Sequence, residues 1–149
     1  MERRFEIFTL LIAGINRCIH KIKAEEVAEF NLKTPHVSCL YYLYKTDGIT
    51  AGELCELCDE DKANISRSIK FLRSNDYLTP TAQGKRQYQL PLTLTEKGRR
   101  VGRFISQRVD GVLEEAGAGL SEEHRAIFYK SLSLIHDNLL HICRQYGTK

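Results

Sequence analysis

A mostly α fold with a minor β element (α+β) is predicted from three observations. Apolar residues recur at helical spacing over most of the 149 residues. One capped helix is followed within a few residues by another, and two short strand-like runs flank a polar turn directly behind that second helix. Together they describe a winged helix-turn-helix framed by long helices at both chain ends.

The elements follow in order. Residues 4 to 30 carry Phe8, Ile12, Ile15, Ile19 and Ile22, with Val27 and Phe30 beyond, which predicts one long helix or a broken one. Thr34-Pro35 predicts an N-cap and a proline at the first helical position of a helix that runs to about Lys45, before Asp47-Gly48 ends it. Thr50-Ala-Gly-Glu53 has the reciprocal capping pattern, so a short helix starts near Ala51 and runs to about Cys58. Asp59-Glu-Asp61 forms a turn, with Asp61 the N-cap of the next helix. Tyr77 to Thr81 and Gln87 to Leu94 read as strands joined by Ala82-Gln-Gly-Lys-Arg86, with Pro91 requiring an edge position or a bulge in the second. Thr95 caps a helix carrying Val101, Phe104, Ile105, Val109, Val112 and Leu113 that ends at Gly117-Ala-Gly119. Ser121 caps the last helix, whose stripe is Phe128, Leu132, Ile135, Leu139, Ile142 and Tyr146.

The helix over about 61–75 has two incompatible faces. At about 100° per residue, Ile65, Ile69 and Leu72 cluster on one side, while Ala63, Arg67 and Lys70 lie opposite, flanked by Asn64 and Ser66. A cationic, amide-rich face with a small residue suits the DNA major groove, where Arg pairs bidentately with guanine, Asn with adenine, and Lys or Ser reaches phosphates or bases. A merely solvated amphipathic helix is the alternative. The charge distribution favours the first reading. Residues 60 to 103 hold ten Lys or Arg against four Asp or Glu, a net +6, so with a total of +3 the rest of the chain carries −3.

These residues resemble the MarR family of bacterial transcription regulators. The resemblance covers nearly the whole chain. It is carried by the capped Glu53-Leu54 helix, by Asp61-Lys62-Ala63-Asn64-Ile65-Ser66-Arg67 with Leu72, by Tyr77-Leu78 opening the wing and by Leu94-Thr-Glu-Lys-Gly98 closing it. It implies a single domain over 1–149, with the winged helix-turn-helix at 34–94. Residues 1–33 and 95–149 would then supply helices that intertwine with a second subunit into a homodimer on a pseudo-palindromic duplex. Two departures stand out. The family's usual glycine after the recognition helix is Asp76, which must take the left-handed conformation itself or pass it to Asn75. The family's Asp-Arg pair in the wing is replaced by Lys85-Arg86-Gln87-Tyr88, so the minor-groove role passes to Arg86 or Lys85. The DNA-binding set is thus Lys62, Ala63, Asn64, Ser66, Arg67, Lys70 and Arg73 from the helix, with Lys85 and Arg86 from the wing. Family members often take small aromatic or amphipathic effectors between the dimer helices and the winged region. The candidates here are Phe30, His36, Tyr41 and Tyr44, with Tyr42 beside them; core or interface packing is the other reading.

Other functions have less support. Cys55-Glu-Leu-Cys58 leaves a redox-sensing regulator as an alternative, but a zinc site would want a second such pair and Cys18, Cys39 and Cys143 are isolated in sequence. The five histidines are spread out, and no Ser-His-Asp ordering, phosphate loop or carboxylate pair suggests an enzyme or a cofactor. A winged module that binds protein rather than DNA is a further alternative. The sequence has no apolar run long enough to span a bilayer and no cleavable leader, which points to the cytoplasm.

Overall fold

The computed structural model describes residues 4–80 and 89–146. Six α-helices appear: α1 (Arg4–Glu26), α2 (Thr34–Lys45), α3 (Ala51–Cys58), α4 (Lys62–Ser74), α5 (Glu96–Ala116) and α6 (Glu122–Tyr146), with a 3-10 turn over Ala28–Phe30. The chain forms two compact units, one through Asp110 and one from Gly111 onward.

In the first unit, α2, α3 and α4 pack around one core that includes Leu40, Leu54, Ile65 and Leu72, with Leu78 from the wing base and Ile105 from α5. The helix starts are chemically determined. Thr50 Oγ1 accepts from the Glu53 amide at 3.3 Å while Glu53 Oε2 accepts from the Thr50 amide at 2.8 Å. Donation to its carboxylate by the Thr50 amide and then by the Thr50 hydroxyl (2.9 Å) lowers the Glu53 pKa. At α2 the sequence expectation is off by one residue: Lys33 is the N-cap and Thr34 opens the helix. His36 explains the shift, because its Nδ1 accepts from the Lys33 amide at 3.2 Å, the role a Glu has in α3. The first helix is broken, as one of its two readings allowed. It stops at Glu26, and Asn31 closes the 3-10 turn in the left-handed conformation (φ 53).

The wing is shorter at its base than expected. Among the described residues Leu78 and Leu94 form an isolated antiparallel bridge, supported by the Thr79 amide on Thr93 O (2.9 Å) and the Thr95 amide on Tyr77 O (3.1 Å). Residues 81–88 lie outside the described region, and Gln89 and Leu90 are not in a strand. Pro91 has no amide to give a ladder. Past it, the Leu92 amide turns to Ile49 O at 2.9 Å, just ahead of α3, rather than across the hairpin.

Asp76 takes the left-handed conformation (φ 60) while Asn75 does not (φ −110). Two side chains from the following segment hold this turn: Thr95 Oγ1 donates to Asp76 O at 2.5 Å and Lys97 Nζ to Asn75 O at 2.7 Å. Thr95 also caps α5, accepting from the Gly98 amide at 3.0 Å. Gly98 is obligatory there, since a Cβ would sit 2.0 Å from Tyr77 O. One turn on, a Cβ at Gly102 would meet Tyr44 Cβ at 2.8 Å and Leu40 O at 3.2 Å. A glycine pair four residues apart therefore sets how closely α5 lies on the wing base and α2.

The second unit is the end of α5, a turn and α6. Arg125 links them, with Nη1 3.2 Å from Glu114 Oε2 and Nη2 donating to Gly117 O at 3.3 Å. Ser121 Oγ caps α6 by accepting from the His124 amide at 3.2 Å. The α6 stripe finds little cover: Phe128, Ile135, Leu139 and Ile142 are all exposed, and Leu132 is half-buried. In the first unit Ile7, Leu11, Ile12 and Ile15 of α1 are likewise exposed.

The Gly98 contact is with backbone, which cannot rotate away. Gly98→Ala is expected to destabilise by at least about 1–3 kcal/mol, against a helix propensity that alone would favour Ala by about 1 kcal/mol. Urea denaturation of the two proteins measures it; a variant as stable as the parent would disprove the close approach.

Candidate nucleic-acid interface

Asp59 ends α3 in the left-handed conformation (φ 51), and Asp61 starts α4 by accepting from the Asn64 amide at 2.7 Å. With only Asp59, Glu60 and Asp61 between them, α4 is placed directly by its packing on α3 and α2. Its burial follows the two-face reading. Ile65, Ser68, Ile69 and Leu72 are buried; Lys62, Ala63, Arg67 and Lys70 are exposed; Asn64, Ser66 and Arg73 are half-buried. Seven of the nine sequence-derived contact residues thus lie on one helix with their polar groups off the core stripe, while Lys85 and Arg86 fall outside the described residues.

The polar face carries an ordered relay. Arg67 Nη2 donates to Asn64 Oδ1, and Asn64 Nδ2 in turn donates to Glu60 Oε2 at 2.9 Å and Asp61 Oδ2 at 3.3 Å. Both ends of the Asn64 amide are therefore engaged locally. Its immediate effect is to orient Arg67, something helical spacing alone did not indicate. A fixed guanidinium loses less side-chain entropy on meeting an acceptor than a freely rotating one.

The four effector candidates have different partners. Phe30 packs edge-on against Phe104 with centroids 5.3 Å apart, and Tyr41 against Tyr42 at 5.2 Å. Tyr44 faces Gly102. His36 is buried and stacks on Phe71 of α4 at 3.9 Å and 6°. Burial, and the Lys33 charge, lower its pKa.

The cysteines pair differently from the sequence spacing. Cys58 of α3 shares a hydrogen bond with Cys39 of α2, which pushes the Cys39 thiol up and the Cys58 thiol down. Burial pushes the Cys55 thiol up. Cys39, isolated in sequence, becomes the neighbour of Cys58 because α2 and α3 pack together, a relation that no local spacing encodes. Among the described residues no group of three or more His, Cys, Asp or Glu is arranged to hold a metal ion, and no helix is long and apolar enough to cross a membrane.

Comparison with known proteins gives a consistent picture at the level of fold. No protein-family model matches the chain. Over 128 residues it is 23% identical to the uncharacterized HTH-type transcriptional regulator YybA of Bacillus subtilis, covering 86% of this chain and 85% of that protein. Among solved structures it is similar to a MarR transcriptional regulator from Methanosarcina mazei, with TM-score 0.77, 22% identity and 92% of each chain covered. A Staphylococcus aureus MarR in complex with salicylate and kanamycin has TM-score 0.79 and 21% identity, covering 94% of this chain and 95% of that one. A MarR family regulator from Listeria monocytogenes complexed with a 26mer DNA has TM-score 0.76 and 25% identity, covering 86% and 85%. These neighbours are transcriptional regulators rather than enzymes, and they are members of the family that the sequence resembles.

The His36 contact makes a pH prediction. A histidine whose folded pKa lies below its ordinary 6.5 contributes stability fully above that pH and loses it as pH falls below it. Stability measured by urea denaturation is expected to drop between about pH 7 and 5. His36→Asn keeps an acceptor for the Lys33 amide, so its profile should be flatter; parallel profiles would acquit His36.

Proposed function

We propose that this chain is a MarR-type transcriptional regulator that binds double-stranded DNA as a homodimer. The observation that carries the reading is α4. Its buried stripe faces α2 and α3, its exposed side presents Lys62, Ala63, Arg67 and Lys70, and Asn64 holds Arg67 in place. In this reading α4 enters the major groove. Ala63 allows close approach, Arg67 reads a base edge, and Lys62, Asn64, Ser66, Lys70 and Arg73 contact bases or phosphates. Lys85 and Arg86 extend the contact into the minor groove, where a narrow, electronegative groove favours an arginine.

The exposed apolar residues of α1 and α6 support the dimer, because surfaces of this kind mark partner contacts on soluble chains. Residues 1–33 and 95–149 would meet the second copy, and the two-fold axis would set the two α4 helices on half-sites of a pseudo-palindromic operator. The DNA-bound relative from Listeria supports the partner, and the salicylate-bound one from Staphylococcus supports a small-molecule effector. A regulator that binds an operator in this way would work in the cytoplasm.

Two measurements test the reading. Duplex affinity should fall steeply with salt, with a log–log slope of about −0.9 for each phosphate neutralised, and the binding species should sediment as a dimer. A flat slope or a monomeric binding species rejects it. Arg67→Ala should cost about 1–3 kcal/mol on a selected site and relax the preference at one base pair. Equal losses on selected and random duplex would show that Arg67 only positions the helix.

A further inference from the structure

Glu60 stands in the turn between α3 and α4, outside the exposed face of α4 itself. Its backbone belongs to the end of α3: just past the left-handed Asp59, the Glu60 amide donates to Cys55 O at 3.2 Å. Its half-buried side chain reaches forward onto α4, where Oε2 accepts from Asn64 Nδ2 at 2.9 Å. Asp61 Oδ2 accepts from the same nitrogen at 3.3 Å. An amide nitrogen carries two hydrogens, so the donor end of Asn64 is taken up by two carboxylates. Turning the amide over would set its oxygen against both of them. Oδ1 therefore points to Arg67, whose Nη2 donates to it.

We propose that Glu60 is a positioning residue that sets base choice: by holding the Asn64 amide it closes that side chain to adenine and presents Arg67 to guanine. This role rests on the DNA-binding reading of α4, and it falls to a residue that touches no base. Asparagine reads adenine by accepting from N6 while donating to N7, and an Asn64 with no free donor cannot make that pair. Arg67 spends one Nη2 hydrogen on Asn64; the other, with those of Nη1, remains as a fork that matches O6 and N7 of guanine. A guanidinium has donors only, and the major-groove edge of guanine offers only acceptors. Asp61 is the weaker hold on the amide, since its contact is longer and its other oxygen caps α4 by accepting from the Asn64 main-chain amide at 2.7 Å. Without the Glu60 carboxylate the Asn64 amide is free to turn over, Arg67 loses its fixed acceptor, and the two side chains compete for one base pair.

The test uses the full chain and a duplex selected from a random library, with every base pair placed in turn at the position where Arg67→Ala relaxes the preference. The parent is expected to favour G·C there roughly 10-fold or more. Glu60→Ala should cut that preference to within about 3-fold, with A·T gaining most. Glu60→Gln removes the same charge but keeps an acceptor oxygen for Asn64, so it should retain the preference. Glu56→Ala, the same charge change at an exposed position of α3, should leave it unchanged. In the Asn64→Ala background, adding Glu60→Ala should change the preference no further. A second measurement needs neither DNA nor a variant: the side-chain amide protons of Asn64 should exchange with solvent several-fold more slowly than those of the exposed Asn138. The proposal is overturned, with the DNA-binding reading left in place, if Glu60→Ala keeps the parent's base preference or if Arg67→Ala relaxes it at no position. It is equally overturned if Glu60→Gln loses as much as Glu60→Ala, which would make the carboxylate charge the determinant, or if the Asn64 protons exchange as fast as those of Asn138. A parent that binds no duplex refutes the DNA-binding reading itself and this role with it.

Discussion

Ile65, Ile69 and Leu72 leave almost no surface to solvent, and each fully buried aliphatic is worth about 1.5–3 kcal/mol. Turning α4 about its axis by even one residue would bring at least one of them out, at a cost comparable to a large part of a small domain's net stability. The side of the helix on which Arg67 and Lys70 stand is therefore not chosen by anything those residues do. It is imposed from the opposite side of the helix, by α2 and α3. The Asp61 cap sets where the helix begins, so both its rotation and its start are determined before any ligand is present.

A second constraint ties the far end of α4 to α5. The chain leaves α4 through a left-handed Asp76, a conformation that L-residues with a Cβ take at a cost of about 1–2 kcal/mol. Here two carbonyls of the turn, those of Asn75 and Asp76, receive Lys97 and Thr95. The Lys97 ammonium also lies 4.3 Å from the Tyr77 ring centroid. Gly98 then lets α5 touch the Tyr77 carbonyl directly, and farther along Lys45 of α2 pairs with Asp110 at 2.8 Å. The wing base, the end of α4 and the start of α5 thus form one connected set of contacts, in which the unusual backbone at Asp76 is held by side chains that come from after the wing.

Much of this was legible beforehand because its causes are local. Caps at Thr50, Asp61, Thr95 and Ser121 are short-range hydrogen bonds between residues three apart, and each was readable from residue type and spacing. The α2 cap was misplaced because a histidine ring served as the reach-back acceptor, a role ordinarily filled by Glu or Gln. The length of the second strand was overestimated because β-propensity describes a residue's fitness for a pleated surface, not which neighbour its amide will find, and Leu92 finds Ile49.

By itself, the sequence determined the helices, their order, the capped starts of α3 to α6 and the two faces of α4, since all of these depend on periodicity and on interactions within a few residues. Only the tertiary structure decided which distant groups meet. It set Cys58 beside Cys39 rather than Cys55, laid His36 flat on Phe71, and gathered Ala51, Leu92 and Arg73 around one cavity. The physical reason is that such pairings are chosen by the packing of whole helices, in which the position of every side chain depends on the volume and shape of residues far from it in the chain.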